Sequence, residues 1–206
     1  MSGYAQLKQD IADWLNRTDL ETQIPAFIRL AEARINRDLR VRQMIKRAVA
    51  FTDSNDNYVT LPGDWLQARQ IRAGKDDKLH VLEYFTLEEI GTGEKHLMTG
   101  RPRYFNLTGN RLELFPAPEN NTEVEMVYYS RIPALSNDVE SNWLLDLWPD
   151  VYLYGALTHT APYLKDDERI AVWGSLYSSS VEEIRLEDAR ASHSSFSLRS
   201  RPKSFG

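Results

Sequence analysis

Acidic side chains are the most numerous reactive groups in the sequence, and three adjacent pairs stand out: Glu88 with Glu89, Asp166 with Asp167, and Glu182 with Glu183. A glycosidase holds two carboxyls roughly 5 to 10 Å apart across a cleft. Adjacent residues on one helix or strand point in different directions, so helix starts, where acids complement the dipole, explain these pairs better. The histidines His80, His96, His159 and His193 are scattered, and no two stand at the i, i+4 spacing of a helical metal site. With no cysteine in the chain, disulfides, thiolate metal sites and Cys nucleophiles are excluded together. Gly91-Thr92-Gly93-Glu94-Lys95 looks like a phosphate loop but departs from the pattern G-x-x-x-x-G-K-[ST]: a single residue separates its glycines, and His96 follows the lysine. No G-x-S-x-G elbow occurs. The residues therefore specify no catalytic, metal or cofactor site, and the chain reads as a non-enzyme.

The one local charge signal is basic: Arg34, Arg37, Arg40, Arg42, Lys46 and Arg47 stand against the single Asp38. Steps of three bring Arg34, Arg37 and Arg40 to roughly one helix face, which could address a phosphate backbone or an acidic protein surface. The competing reading is a solvated face that pairs with the chain's own acids. A net charge of -5 argues against general nucleic-acid affinity, which shows as a basic domain. No aromatic residues interleave the cations to stack bases.

The elements that must carry these residues begin and end with helices. Tyr4, Leu7, Ile11, Trp14 and Leu15 repeat at helical spacing, as do Ile24, Phe27, Ile28, Ala31, Ile35 and Leu39. Pro25 then falls in a first turn, where it is tolerated, although Thr18 and Glu21 also fit a capping box. At the other end, Asn142 to Trp173 holds three of the five tryptophans and reads as a helix-turn-helix, with Pro149 in a first turn and Asp146 as its cap. Leu147, Val151, Tyr154, Leu157, Ala161 and Leu164 form one face of it. Trp148, Tyr152, Leu153 and Ala156 lie on others, so the helix is apolar most of the way round and must be buried on several sides, in a core or between subunits. Asp166 or Asp167 starts a long final helix with the stripe Ile170, Trp173, Tyr177, Val181 and Ile184.

Between these helices the period falls to two. Ala48–Asp53, Tyr58–Leu61, Leu66–Arg72, Leu79–Tyr84, Tyr104–Leu107, Arg111–Phe115 and Glu123–Arg131 read as strands. Thr86–Ile90 is expected to form one helical turn, and Thr108-Gly109-Asn110 a hairpin turn. The fold class is α+β: a helical bundle from 1–47 and 136–192, carrying an inserted antiparallel β-sandwich or barrel at 48–135. The tail 193–206 is Ser-rich and, from Ser194 on, free of acid, and is expected to be flexible. No segment approaches the length of apolar sequence needed to span a membrane, and nothing at the N-terminus resembles a signal peptide. The expectation is a soluble protein made intracellularly, with no membrane partner.

The run Asn142 to Trp173, Tyr128-Tyr129-Ser130-Arg131-Ile132-Pro133-Ala134-Leu135, Thr99-Gly100-Arg101-Pro102-Arg103-Tyr104, Asp10-Ile11-Ala12-Asp13-Trp14-Leu15-Asn16-Arg17 and Ala31-Glu32-Ala33-Arg34-Ile35-Asn36 together resemble the head-to-tail adaptors of tailed bacteriophages, the group that includes tail tubular protein A of short-tailed phages. The resemblance implies a structural subunit of a ring, typically dodecameric, between the portal and the tail or nozzle. Such a ring sits in the virion after assembly in the host cytoplasm, and DNA passes through it without specific binding. A ring subunit needs two complementary flanks; Trp148, Tyr152, Leu153, Arg34, Arg37 and Arg40 are the candidates. Phe196, Leu198, Arg199, Arg201 and Phe205 of the tail are the candidates for docking on the portal. The alternatives are a tail-associated glycan or peptidoglycan hydrolase using the abundant acids, and a nucleic-acid-binding module using the Arg34 to Arg47 stripe.

Overall fold

The computed structural model describes residues 3–53, 57–75, 78–86, 99–118, 121–164 and 167–193. The chain divides into two compact units: Met1–Arg42 with Ile132–Gly206, which is helical, and Gln43–Arg131, which is β.

In the helical unit, α1 (Tyr4–Leu15) buries Tyr4, Leu7, Ile11 and Leu15, the stripe its spacing predicts, while Trp14 stays half exposed. Asn16 ends it in the left-handed conformation, at φ 51°, which asparagine adopts more readily than most residues. α2 (Ile24–Asp38) carries Pro25 in its first turn; no side chain caps it, so the Thr18 and Glu21 box does not form. The C-terminal segment holds one helix more than expected. Asn142 caps a short α3 (Trp143–Leu147), its Oδ1 accepting from the N–H groups of Leu144 and Leu145 at 3.1 and 2.9 Å. Asp146 lies inside α3 and receives the Ser141 hydroxyl. Trp148 interrupts the helix, and α4 (Pro149–Leu164) follows. Leu147, expected on the buried face, is instead 59% exposed, because α3 ends there and the 3.6-residue phase is lost before α4 begins.

α4 is the centre of the unit and packs against all of α1, α2, α3 and α5 (Asp167–His193). This explains its apolarity on every side without any second subunit. Gly155 marks a close approach to α2 and α5: a Cβ there would meet Ala31 Cβ at 3.2 Å and the Tyr177 ring at 3.4 Å. On α5 the predicted stripe is the packed face, with Trp173, Tyr177, Val181 and Ile184 buried. Each such side chain contributes about 1.5 to 3 kcal/mol by leaving water.

The β unit contains β1 (Ile45–Phe51), β2 (Tyr58–Thr60), β3 (Trp65–Gly74), β4 (His80–Val81), β5 (Glu83–Tyr84), β6 (Tyr104–Thr108), β7 (Arg111–Phe115) and β8 (Glu123–Ser130). They form two four-stranded sheets, in the orders β1-β8-β3-β4 and β2-β7-β6-β5. The ladders are antiparallel except β5 with β6, so the second sheet is mixed. One face of each sheet feeds a shared core: Ile71, Ala73, Val124, Met126 and Tyr128 from the first, and Val59, Phe105, Leu112 and Leu114 from the second. That is a sandwich, and the alternation Val124, Met126, Tyr128 is its period-two signature. The β6–β7 hairpin turns where predicted, with Gly109 supplying a φ of +59° that a side chain would oppose. β1 begins at Ile45, before the predicted change of period, because Ile45 to Arg47 already pair with Tyr129 to Val127. The helical turn expected at Thr86–Ile90 lies, but for Thr86, outside the described residues.

Candidate assembly surfaces

Three polar side chains, all buried or partly buried, hold the segment that re-enters the helical unit. Glu32, on the packed side of α2, accepts from the Leu135 N–H at 2.7 Å. Asn36, one turn on, accepts from the Ile132 N–H at 2.9 Å and donates to the Glu32 carbonyl at 2.9 Å. Asn142, besides capping α3, donates through Nδ2 to the Pro133 carbonyl and the Tyr152 hydroxyl, each at 2.7 Å. These bonds knit together three of the stretches that carry the phage-adaptor resemblance: Ala31 to Asn36, Tyr128 to Leu135, and the start of the Asn142 run. Burial holds the Glu32 carboxyl above its usual pKa, against the lowering effect of the Leu135 N–H. The sequence offered one signal for this network, a glutamate at i+4 from Ile28 on an otherwise apolar stripe.

The basic stripe is mostly absorbed by the chain itself. The Arg34 guanidinium lies over the Tyr177 ring at 4.2 Å and pairs with Asp38 at 3.5 Å; the Tyr177 hydroxyl donates to the same carboxylate at 2.8 Å. Arg40 turns back onto the C-terminal carbonyls of α2, bonding Asn36 and Leu39 at 2.7 and 2.5 Å. Arg42 pairs with Asp188, Lys46 with Asp64, and Arg47 with Glu125. Of the trio expected to share an exposed face, Arg37 alone is exposed and lacks an ion-pair partner among the described residues. Arg34 and Arg40 therefore leave the set of free surface cations, and the stripe offers no continuous track for a phosphate backbone.

Tyr152 also leaves the set of contact candidates. It is 1% exposed, and burial, only partly opposed by the Asn142 bond, raises its pKa. It is buried because α4 is packed on several sides, and its hydroxyl meets Asn142 there. Trp148 and Leu153 remain half buried, with Trp148 edge-on to Trp143 at 6.2 Å. Apolar surface left open on the unit includes Trp14, Leu30, Leu147 and Tyr163. On α5 a second line, Val172, Leu176 and Leu186, at 58%, 37% and 48% exposure, runs along a face turned away from the buried stripe.

The chemically suggestive groups do not assemble. Glu182 and Glu183 are both exposed, Glu182 pairing with Arg185; Glu88, Glu89, Asp166 and the Gly91 to Lys95 run lie outside the described residues, and of Asp167 only the backbone is described. Among the described residues no group of three or more His, Asp or Glu could hold a metal. The pKa of His159 is lowered by burial first and by the charges of Arg34 and Arg37 second, and its Nε2 has no partner among the described residues. No described helix is long and apolar enough to cross a membrane. The tail candidates Phe196, Leu198, Arg199, Arg201 and Phe205 fall beyond the described residues.

The family description "SU10 adaptor protein" matches residues 2–201, nearly the whole chain and both of its units. The chain belongs to the SU10 adaptor protein family. This is a bacteriophage head-to-tail adaptor family, structural and not enzymatic, so this SU10-family adaptor is a virion component. No curated protein matches the chain.

Proposed function

We propose that this adaptor forms a closed ring, dodecameric in the manner of tail tubular protein A, that joins the portal to the tail or nozzle and lines part of the DNA exit path. The observation that carries this reading is the second apolar line of α5, Val172, Leu176 and Leu186. Open apolar surface of this kind on a structural virion subunit supplies material for a contact with another chain. Self-association in a closed ring uses two different flanks; Trp148, Leu153 and Arg37 are further candidates for them. The tail, through Phe196, Leu198, Arg199, Arg201 and Phe205, supplies the portal contact. The net charge of -5 discourages DNA from adhering during passage.

Electron microscopy of the full chain mixed with portal rings tests the reading. A symmetric collar is expected, and it should be lost with Leu176→Glu while the monomer stays folded. Absence of any portal-bound assembly would overturn the proposal. Truncation after Ser192 tests the tail separately, and unchanged portal affinity would remove its docking role.

A further inference from the structure

Among the described residues the two sheets end in four edge strands, and three of these, β2, β4 and β5, are only two or three residues long. Short edges give another chain little to pair with. β1 is the exception, at seven residues. It pairs with β8 alone among the described strands, in a register that runs from Ile45 to Phe51 without a bulge, and it contains no proline.

The ladder fixes which of its backbone groups are left over. Thr52 N–H donates to the Thr122 carbonyl at 3.0 Å, which sets the phase of the β1–β8 pairing, while Arg131 N–H, one residue past β8, turns the other way to the Asp64 carbonyl at 2.6 Å. Lys46, Ala48 and Ala50 therefore bond β8, and Arg47, Val49 and Phe51 direct their N–H and C=O groups out of the edge. No described residue receives them. Their side chains share one face: Val49 and Phe51 are 51% and 58% exposed on it, while Ala48 and Ala50 pack toward the core.

We infer that β1 is an interface for a second copy of this chain, two β1 strands pairing antiparallel so that the sheet continues from one subunit into the next. The strand is complementary to itself in the register that sets Ala50 opposite Ala50. Val49 then stands across from Phe51 and Arg47 across from Asp53, so apolar meets apolar and cation meets acid in both halves of the contact. Arg47 already holds Glu125 through Nε at 2.9 Å but its side chain is 68% exposed, and Asp53 is exposed with no ion-pair partner among the described residues. Centred one residue earlier, on Val49, the pairing sets Asp53 against Ile45 and the ion pair is lost. An unrelated extended segment would satisfy the backbone but not this match on both sides. The contact is isologous, unlike the two different flanks that close a ring; it pairs free subunits and does not rest on the ring proposal.

Analytical ultracentrifugation of the full chain without portal tests it. A dimer is expected at high micromolar concentration, dissociating on dilution. Val49→Lys should weaken it by about tenfold, since the contact holds two copies of the lost pair, and because Val49 is half exposed the variant keeps its fold. Val49→Pro, which removes an N–H that β8 does not use, should act in the same direction. The chain has no cysteine, so single cysteines report the register: Ala50→Cys should cross-link to its own copy on mild oxidation, because residues directly opposed in a non-hydrogen-bonded pair lie within disulfide reach. Ala48→Cys, which faces Thr52, should not. A monomer at every concentration, a dimer indifferent to Val49→Lys, or cross-linking as fast at Ala48→Cys as at Ala50→Cys would overturn the assignment.

Discussion

Glu32 in the helical unit and Glu125 in the β unit are almost equally hidden from water, at 8% and 4% exposure, but their surroundings differ. Glu125 projects from β8 between two cross-strand neighbours, with Arg47 of β1 at 2.9 Å and Arg72 of β3 at 3.5 Å. Strand register places these cations: Arg72 pairs directly with Glu125, and Arg47 lies diagonal to it. Glu32 meets a neutral backbone N–H instead, and burial raises its pKa. A ladder can bring counter-charges to a buried acid from both sides at fixed spacing. A helix packed against an irregular segment offers it the amides of that segment, and burial, only partly opposed by the Leu135 N–H, shifts its pKa upward.

This contrast can be broken at the sheet first. Replacing both Arg47 and Arg72 by alanine leaves Glu125 buried with no cation among the described residues, and urea denaturation should show a loss of about 3 kcal/mol. Either single substitution should cost about 1 kcal/mol or less, since both arginines are substantially exposed and screened. In the helical unit Glu32→Ala frees the Leu135 N–H and should cost about 2 kcal/mol, while Glu32→Gln keeps an acceptor and should cost less. Asn142→Ala removes the α3 cap and should cost about 1 to 2 kcal/mol, read as a lower denaturation midpoint.

The smallest effect sharpens the comparison most. Because the folded-state pKa of Glu32 is raised above its ordinary value of 4.5, its contribution to stability is fully present below that value and is lost as pH rises through the folded one. Over that interval wild type should lose stability relative to Glu32→Gln. Parallel midpoints at every pH would show that the two carboxylates are not compensated differently.

What the sequence revealed follows from the range of the interactions involved. The buried faces of α1, α2 and α5 and the β6–β7 turn depend on residues a few positions apart, and periodicity and turn chemistry captured them. The order β1-β8-β3-β4 depends on pairings between distant residues, and no local pattern encodes it. Pro149 opens α4, as its first-turn placement predicts; the short α3 before it was missed because Asn142, and not Asp146, caps a separate turn. The arginine trio looked like a surface because spacing alone places it on one face; Tyr177, from the far end of the chain, draws Arg34 inward. β1 was readable as a strand but not as an edge, since its one described neighbour, β8, comes from far along the chain.

Gly155 sets a dimension as well as a contact. With Ala31 Cβ only 3.2 Å from where its own Cβ would stand, the separation of α2 and α4 is a mechanical stop with almost no play. Trp14 rests on Tyr154 of the same helix at 5.8 Å, so a wedge at residue 155 would also displace what that helix carries. In any closed assembly, an error of a few tenths of an ångström in one subunit is repeated at every joint around the circumference. In the proposed ring, a residue without a side chain would thus set a tolerance repeated in every subunit.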